Sequence, residues 1–163
     1  RDKTTLILNG VLSNNLKKVS NSSKIKNIAC VEWIEPLMFA GNWIPEIVEI
    51  SGGRDLFGKS GMHSSWASYD ELYEKDPDVI IFMPCGYSIN KTKNEIKLLS
   101  KSTSWKNLRA VRQNEVYVVD SNQYFNRSGP RLMESIKIMH EILCNEDLYG
   151  FSGKGWERIF YRA

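Results

Sequence analysis

Asp76-Pro77-Asp78-Val79-Ile80-Ile81-Phe82-Met83-Pro84-Cys85-Gly86 is the stretch whose reading decides the fold. Val79 to Met83 are apolar without alternation, as in a strand covered on both faces. Asp76-Pro77 stops whatever precedes it, and Pro84-Cys85-Gly86 ends the run. Two shorter segments of the same kind flank it: Ile28-Ala29-Cys30-Val31 before, and Val116-Tyr117-Val118-Val119 after.

Helical patterns separate these strands. Pro45 opens a helix through Ile50, closed by Ser51-Gly52-Gly53. Ser68 caps a helix running to Lys75, with Glu71 completing a capping box. Residues 91–100 form a polar amphipathic helix, and Pro130 starts a long one lined by Leu132, Ile136, Met139 and Leu143. Trp156, Ile159, Phe160 and Tyr161 are expected to dock on the body. At the other end, Leu8, Leu12, Leu16 and Val19 line one face of a leading helix that breaks at Ser20-Asn21-Ser22-Ser23. Short apolar strands alternating with helices predict an α/β fold. It is a Rossmann-like, three-layer lobe with a parallel sheet covered on both faces, preceded by a long helix.

The chain has 163 residues, enough for one domain with one core, and its 42% apolar content excludes disorder. The net charge of +3 is unevenly spread: residues 1–26 hold six bases and one acid, and the remainder sums to −2. A nucleic-acid binder would carry its basic excess through the body, so that class is disfavoured. No apolar run approaches the roughly 18 residues that span a bilayer. The chain shows no signal-peptide pattern and opens on Arg1, as a processed product or a fragment would. Cys30, Cys85 and Cys144 lack any CxxC spacing, so neither a disulfide framework nor a zinc cluster is expected. Two histidines and scattered acids give no metal-ligand spacing.

In open parallel sheets, ligands bind beyond the carboxyl ends of the strands. The first strand runs into Glu32-Trp33-Ile34-Glu35-Pro36, the second into Pro84-Cys85-Gly86-Tyr87, and the third into Asp120-Ser121-Asn122-Gln123-Tyr124-Phe125-Asn126-Arg127. Each loop pairs an aromatic residue with polar groups. That composition suits a broad, partly apolar ligand oriented by a few hydrogen bonds. The alternative is that Trp33, Tyr87 and Phe125 only seal the end of the sheet.

Gly53-Arg54-Asp55-Leu56-Phe57-Gly58-Lys59-Ser60 matches the Walker A pattern letter for letter. A phosphate loop follows a strand and opens a helix. Here a helix precedes it and Gly61-Met62-His63-Ser64-Ser65 follows, a poor helix start, so an NTPase stands only as a rival from another class. Cys85 could be a nucleophile on its turn, with His63 or His140 as base, but no orienting third group is evident. A small buried cysteine is the expectation there.

Several blocks resemble a known family in order. They are Val31-Glu32-Trp33-Ile34-Glu35-Pro36-Leu37-Met38, Ala40-Gly41-Asn42-Trp43-Ile44-Pro45-Glu46, Ser51-Gly52-Gly53-Arg54-Asp55, the stretch from Asp76 to Gly86, and Tyr124-Phe125-Asn126-Arg127-Ser128-Gly129-Pro130-Arg131-Leu132. The chain resembles the substrate-binding proteins of cobalamin, haem and iron-siderophore ABC importers over residues 27–145, most of all the cobalamin-binding branch.

The resemblance implies a class III periplasmic-binding-protein-like architecture of two α/β lobes joined by a rigid helix. Residues 1–22 would be the linker helix and 23–163 the carboxy-terminal ligand-binding lobe, the amino-terminal lobe being absent from this chain. It implies an extracytoplasmic, non-enzymatic role with no cofactor: capture of cobalamin or a related corrinoid, or else of haem or a ferric siderophore, for an ABC permease. The ligand-binding residues would be Glu32, Trp33, Glu35, Pro36, Trp66, Cys85, Gly86, Tyr87, Gln123, Tyr124, Phe125, Asn126 and Arg127. Gln123 and Asn126 stand where the family often has acids; amides can pair with corrin side-chain amides. Cobalt would need no protein ligand. Asp70, with Glu71 beside it, would face the permease.

Overall fold

The computed structural model describes residues 25–161; the linker helix expected over 1–22 lies outside them. Strand β1 (Asn27–Trp33) contains the first apolar run and β5 (Val79–Phe82) the second, and β6 (Val116–Val119) is the third. They lie side by side and parallel, in the order β1-β5-β6, with Ile28 opposite Val79 and Ile80 opposite Val116. Four further strands extend this centre: β2 (Met38–Phe39), β3 (Arg54–Asp55), β4 (Ser65–Trp66) and β7 (Trp156–Ile159).

The edges differ from the parallel pattern. β3 runs parallel to the start of β1, but β2 pairs antiparallel with its end and β4 antiparallel with β2. On the far side β7 pairs antiparallel with β6, Val119 opposite Trp156. The terminal aromatics therefore dock as an edge strand, which buries Trp156 and leaves Phe160 exposed. Their alternation is too short to announce a strand, and the pairing comes from the open edge of β6.

Two buried clusters lie on the two faces of the sheet. One gathers Ile28, Cys30, Val79, Ile81 and Val119 against helices α1 (Ile44–Ile50) and α7 (Leu132–Cys144). The other gathers Ala29, Val31, Ile80, Phe82 and Val118 against α2 (Tyr69–Lys75), α3 (Ile89–Ile96) and α4 (Thr103–Asn107). Alternate side chains of each strand point to opposite faces, which is why continuous apolar runs are needed. Short helices α5 (Arg109–Arg112) and α6 (Ser121–Tyr124) flank β6.

Local chemistry sets the helix ends. Ser68 Oγ accepts the Glu71 N–H at 3.2 Å, and α2 stops at Asp76, whose φ of 39° is left-handed. The amphipathic helix begins earlier than its pattern suggests, because Ser88 Oγ accepts the Lys91 N–H at 3.4 Å. It ends by Ile96, and a separate 3-10 turn covers Leu99–Lys101.

Candidate functional site

The carboxyl ends of β1, β5 and β6 meet at one end of the sheet. The Met83 N–H donates to Val31 O at 2.8 Å and the Cys85 N–H to Glu32 O at 3.3 Å, joining the first two loops. The Asn122 N–H donates to Tyr87 O at 3.3 Å, joining the third. Trp33 and Tyr87 meet edge to face with ring centroids 5.6 Å apart. Lys91 Nζ sits 3.7 Å from the Tyr87 ring centroid, a cation–π contact. The indole N–H of Trp33 donates to Glu35 O at 3.1 Å, which turns the ring across its own loop.

The same loops border a hollow with about 40 Å³ of free volume, room for a few water molecules and far less than a macrocycle. Its lining includes Glu32, Gly41, Asn42, Trp43, Cys85 and Asn126, with Met83 and Phe125 at its base. Phe125 is only 3% exposed and belongs to the core, so its ring does not join Trp33 and Tyr87. The Nδ2 of Asn126 is buried without a hydrogen-bond partner among the described residues, and its backbone N–H donates to Ser121 O at 3.0 Å. An amide kept dry and unpaired costs about 1–3 kcal/mol unless something fills the hollow.

Glu32 is held rather than free. Ser64 Oγ donates to its carboxylate and itself accepts the Gly41 N–H at 3.1 Å. Gly41 is obligatory there, since a Cβ would fall 2.4 Å from Met62 O. The Asn42 N–H donates to Met62 O at 2.6 Å and the Gly61 N–H to Asn42 O at 2.8 Å, so loop 56–64 is stitched to the turn before α1. Sequence reasoning missed Ser64, Asn42 and Trp43 as site residues. Asn42 and Trp43 stand inside a quoted family block, whereas Ser64 carries no local signal.

The remaining expected residues are dispersed. Glu35 and Pro36 are exposed on a turn joined by a cis peptide bond. Tyr69 supports that turn, its phenol donating to Ile34 O at 2.8 Å; burial first, then Glu35 and Tyr73 nearby, push its pKa up to about 12. Trp66 stands 65% exposed on edge strand β4. Gln123 folds back, its Nε2 donating to Asp120 Oδ2 at 2.9 Å. Tyr124 packs edge-on against Phe151. Arg127 is exposed, as are Cys85 and Gly86. The buried position expected for Cys85 is thus wrong: the turn after β5 lifts the thiol to the mouth of the hollow, while Cys30 occupies the core. Asp70 is exposed on the first turn of α2, and Glu71 pairs with Lys75 at 3.4 Å.

The Walker-like segment forms no phosphate loop. The Asp55 carboxylate accepts the N–H groups of Phe57 at 2.9 Å and Gly58 at 2.8 Å, amides a phosphate would need. No helix starts at Ser60; the next element is strand β4 at Ser65. Burial, only partly offset by those two amides, raises the Asp55 pKa above the usual carboxylate range. His140, on α7, is bound to Tyr149 Oη at 3.0 Å and lies 3.5 Å from Cys144 Sγ. Among the described residues no group of three or more His, Cys, Asp or Glu could hold a metal ion, and no helix is long and apolar enough to cross a membrane.

No protein-family model matches the chain, and no curated protein matches it. Solved structures do. An ABC transporter substrate-binding protein from Listeria monocytogenes EGD-e superposes with a TM-score of 0.68 at 19% identity, over 86% of this chain and 57% of that one. A periplasmic heme-binding protein from Pseudomonas aeruginosa gives 0.67 at 16% identity, over 86% and 50%. The periplasmic vitamin B12-binding protein BtuF of Vibrio cholerae gives 0.60 at 18% identity, over 82% and 51%. The shared fold is that of one part of such proteins: the chain spans about half the length of the solved structures it matches.

Proposed function

We propose that this chain is one lobe of the substrate-binding component of an ABC importer, a non-enzymatic protein that acts outside the cytoplasm and captures cobalamin or a related corrinoid. The observation that carries this reading is the gathering of three strand-end loops around a hollow that presents a carboxylate, Glu32, beside an unpaired amide, Asn126. One accepts and the other donates, the pair a carboxamide needs. Trp33 and Tyr87, in contact on the loops that follow β1 and β5, offer apolar ring surface, and exposed Arg127, next in sequence to Asn126, can fork onto a carbonyl or phosphate. Haem and ferric siderophores are the alternatives within the same class. Glu32 in the hollow disfavours them where they present carboxylates, by like-charge repulsion.

The mechanism is grip without reaction. The hollow admits a substituent at the edge of a ring system, and the second face of the ligand is left for the amino-terminal lobe. Asp70, exposed on the first turn of α2, is the acid this reading assigns to a permease. Because this chain supplies half of the cleft, it should bind cyanocobalamin weakly or not at all, whereas the two-lobed protein binds it. Calorimetric and spectral titration of both with cyanocobalamin, haemin and a ferric hydroxamate tests this. Tight cyanocobalamin binding by the chain alone overturns the half-cleft picture, and preference of the two-lobed protein for haemin overturns the ligand.

A further inference from the structure

Charge along the chain is segregated, and most of the basic stretch lies outside the candidate site. Between Tyr87 and Asn114 there are seven bases and one acid, Glu95. Three of the bases are engaged: Lys91 over the Tyr87 ring, Lys93 with Glu157 at 2.7 Å, and Arg109 with Asp78 at 2.7 Å and Asp76 at 3.3 Å. Lys97, Lys101, Lys106 and Arg112 are exposed and form no ion pair among the described residues. Lys97 bonds only the neutral side chain of Asn94, at 2.8 Å.

The fold brings these four to one pole. α3 begins at the carboxyl end of β5 and runs back, so its end, the 3-10 turn, α4 and α5 lie toward the amino ends of the parallel strands. Exposed apolar side chains share that pole. Leu98, 68% exposed, stands between Lys97 and the turn carrying Lys101. Phe160, 67% exposed, leaves β7 at the same end, with the Arg158 guanidinium 5.6 Å from its ring centroid. Next to it Tyr161 packs on Trp105, the neighbour of Lys106, with centroids 5.9 Å apart.

We propose that this pole is a membrane-surface contact that binds anionic lipid headgroups. The bases are spread over or beside separate short elements, α3, the 3-10 turn, α4 and α5, and that dispersal suits a fluid layer of negative charge better than the fixed acids of a protein partner. Two large apolar side chains projecting from the basic field suit the headgroup–acyl boundary. The pole lies opposite the hollow. Lipid binding here and docking of the hollow end on a permease would therefore exclude one another on one membrane. The lipid contact itself does not depend on the importer reading.

Co-sedimentation of the chain with vesicles tests it. Binding is expected to mixed phosphatidylcholine–phosphatidylglycerol vesicles, not to phosphatidylcholine alone, and to be lost at high salt. Each lysine near an anionic surface contributes about 1 kcal/mol, roughly a fivefold change, so the triple variant Lys97→Glu/Lys101→Glu/Lys106→Glu should bind at least about a hundredfold more weakly. Leu98→Ser and Phe160→Ser should each weaken binding, with circular dichroism unchanged. The control Lys59→Glu/Lys154→Glu should bind as the parent does. Absence of vesicle binding overturns the proposal. So does equal binding by the triple variant, which would assign attraction to the basic residues 1–26. Binding of soluble polyphosphate as tight as that of vesicles, and indifferent to Leu98→Ser and Phe160→Ser, would also overturn it.

Discussion

Ser64 Oγ donates to the carboxylate of Glu32, across 32 positions of sequence. The bond fixes which carboxylate oxygen is left to face the hollow, and through the Gly41 N–H on Ser64 it makes that orientation depend on loop 56–64. Ser64→Ala should cost about 1 kcal/mol of stability in urea unfolding, the ordinary worth of one such bond. On the importer reading proposed above, it should also weaken ligand binding by a two-lobed protein while leaving the fold intact. A full-affinity Ser64→Ala protein would mean that Glu32 needs no such support.

Gly41→Ala asks the same question by steric means. The new Cβ must displace the Met62 carbonyl and the backbone at His63 and Ser64, all within 2.7 Å of it. A loss of about 1–3 kcal/mol is expected, as for other overpacked sites. Exchange of the amide protons in loop 56–64, followed by NMR, should rise selectively.

Glu141 is fully buried and accepts from Trp156 Nε1 at 2.6 Å and from the N–H groups of Tyr149 and Phe151. It pins the segment that leads into β7 onto α7. Glu141→Ala strands three donors at about 1–3 kcal/mol each, so unfolding should shift by at least about 3 kcal/mol. Glu141→Gln, which keeps an acceptor oxygen, should lose less.

Asp55 carries a pH prediction. Burial raises its pKa in the folded chain, so the folded state holds its proton more tightly than the unfolded state does. Its contribution is therefore fully present below the ordinary carboxylate pKa and is lost as pH rises through the raised folded value. Asp55→Asn keeps the oxygen that accepts from Phe57 and Gly58 and removes the titration. Relative to this variant, the native chain should gain stability as pH falls through that window, measured by urea unfolding at a series of pH values. An unchanged difference would show that Asp55 does not titrate abnormally.

The same carboxylate argues against nucleotide binding. With Asp55 on the two amides, ATP should give no signal in a fluorescence titration of the native chain, and Lys59→Ala should change nothing. Measurable ATP binding abolished by Lys59→Ala would restore the phosphate-loop reading.

The strand centre of the fold was legible in the sequence because it is local. Val79 to Met83, bounded by Asp76-Pro77 and Pro84-Cys85-Gly86, carries the pattern of a doubly covered strand in its own residues, and Ser68 with Glu71 caps its own helix. That Trp33 and Tyr87 would come together followed from strand-end logic. Only the tertiary structure decided the edges of the sheet, where β7 pairs with β6 through backbone groups that carry no side-chain code. It also decided the inner site: that Phe125 is core, that Cys85 is exposed, and that Ser64 holds Glu32. Hydrophobic periodicity records whether a residue is covered. It does not record by which distant residue, because a hydrogen bond between remote loops leaves no period in either of them.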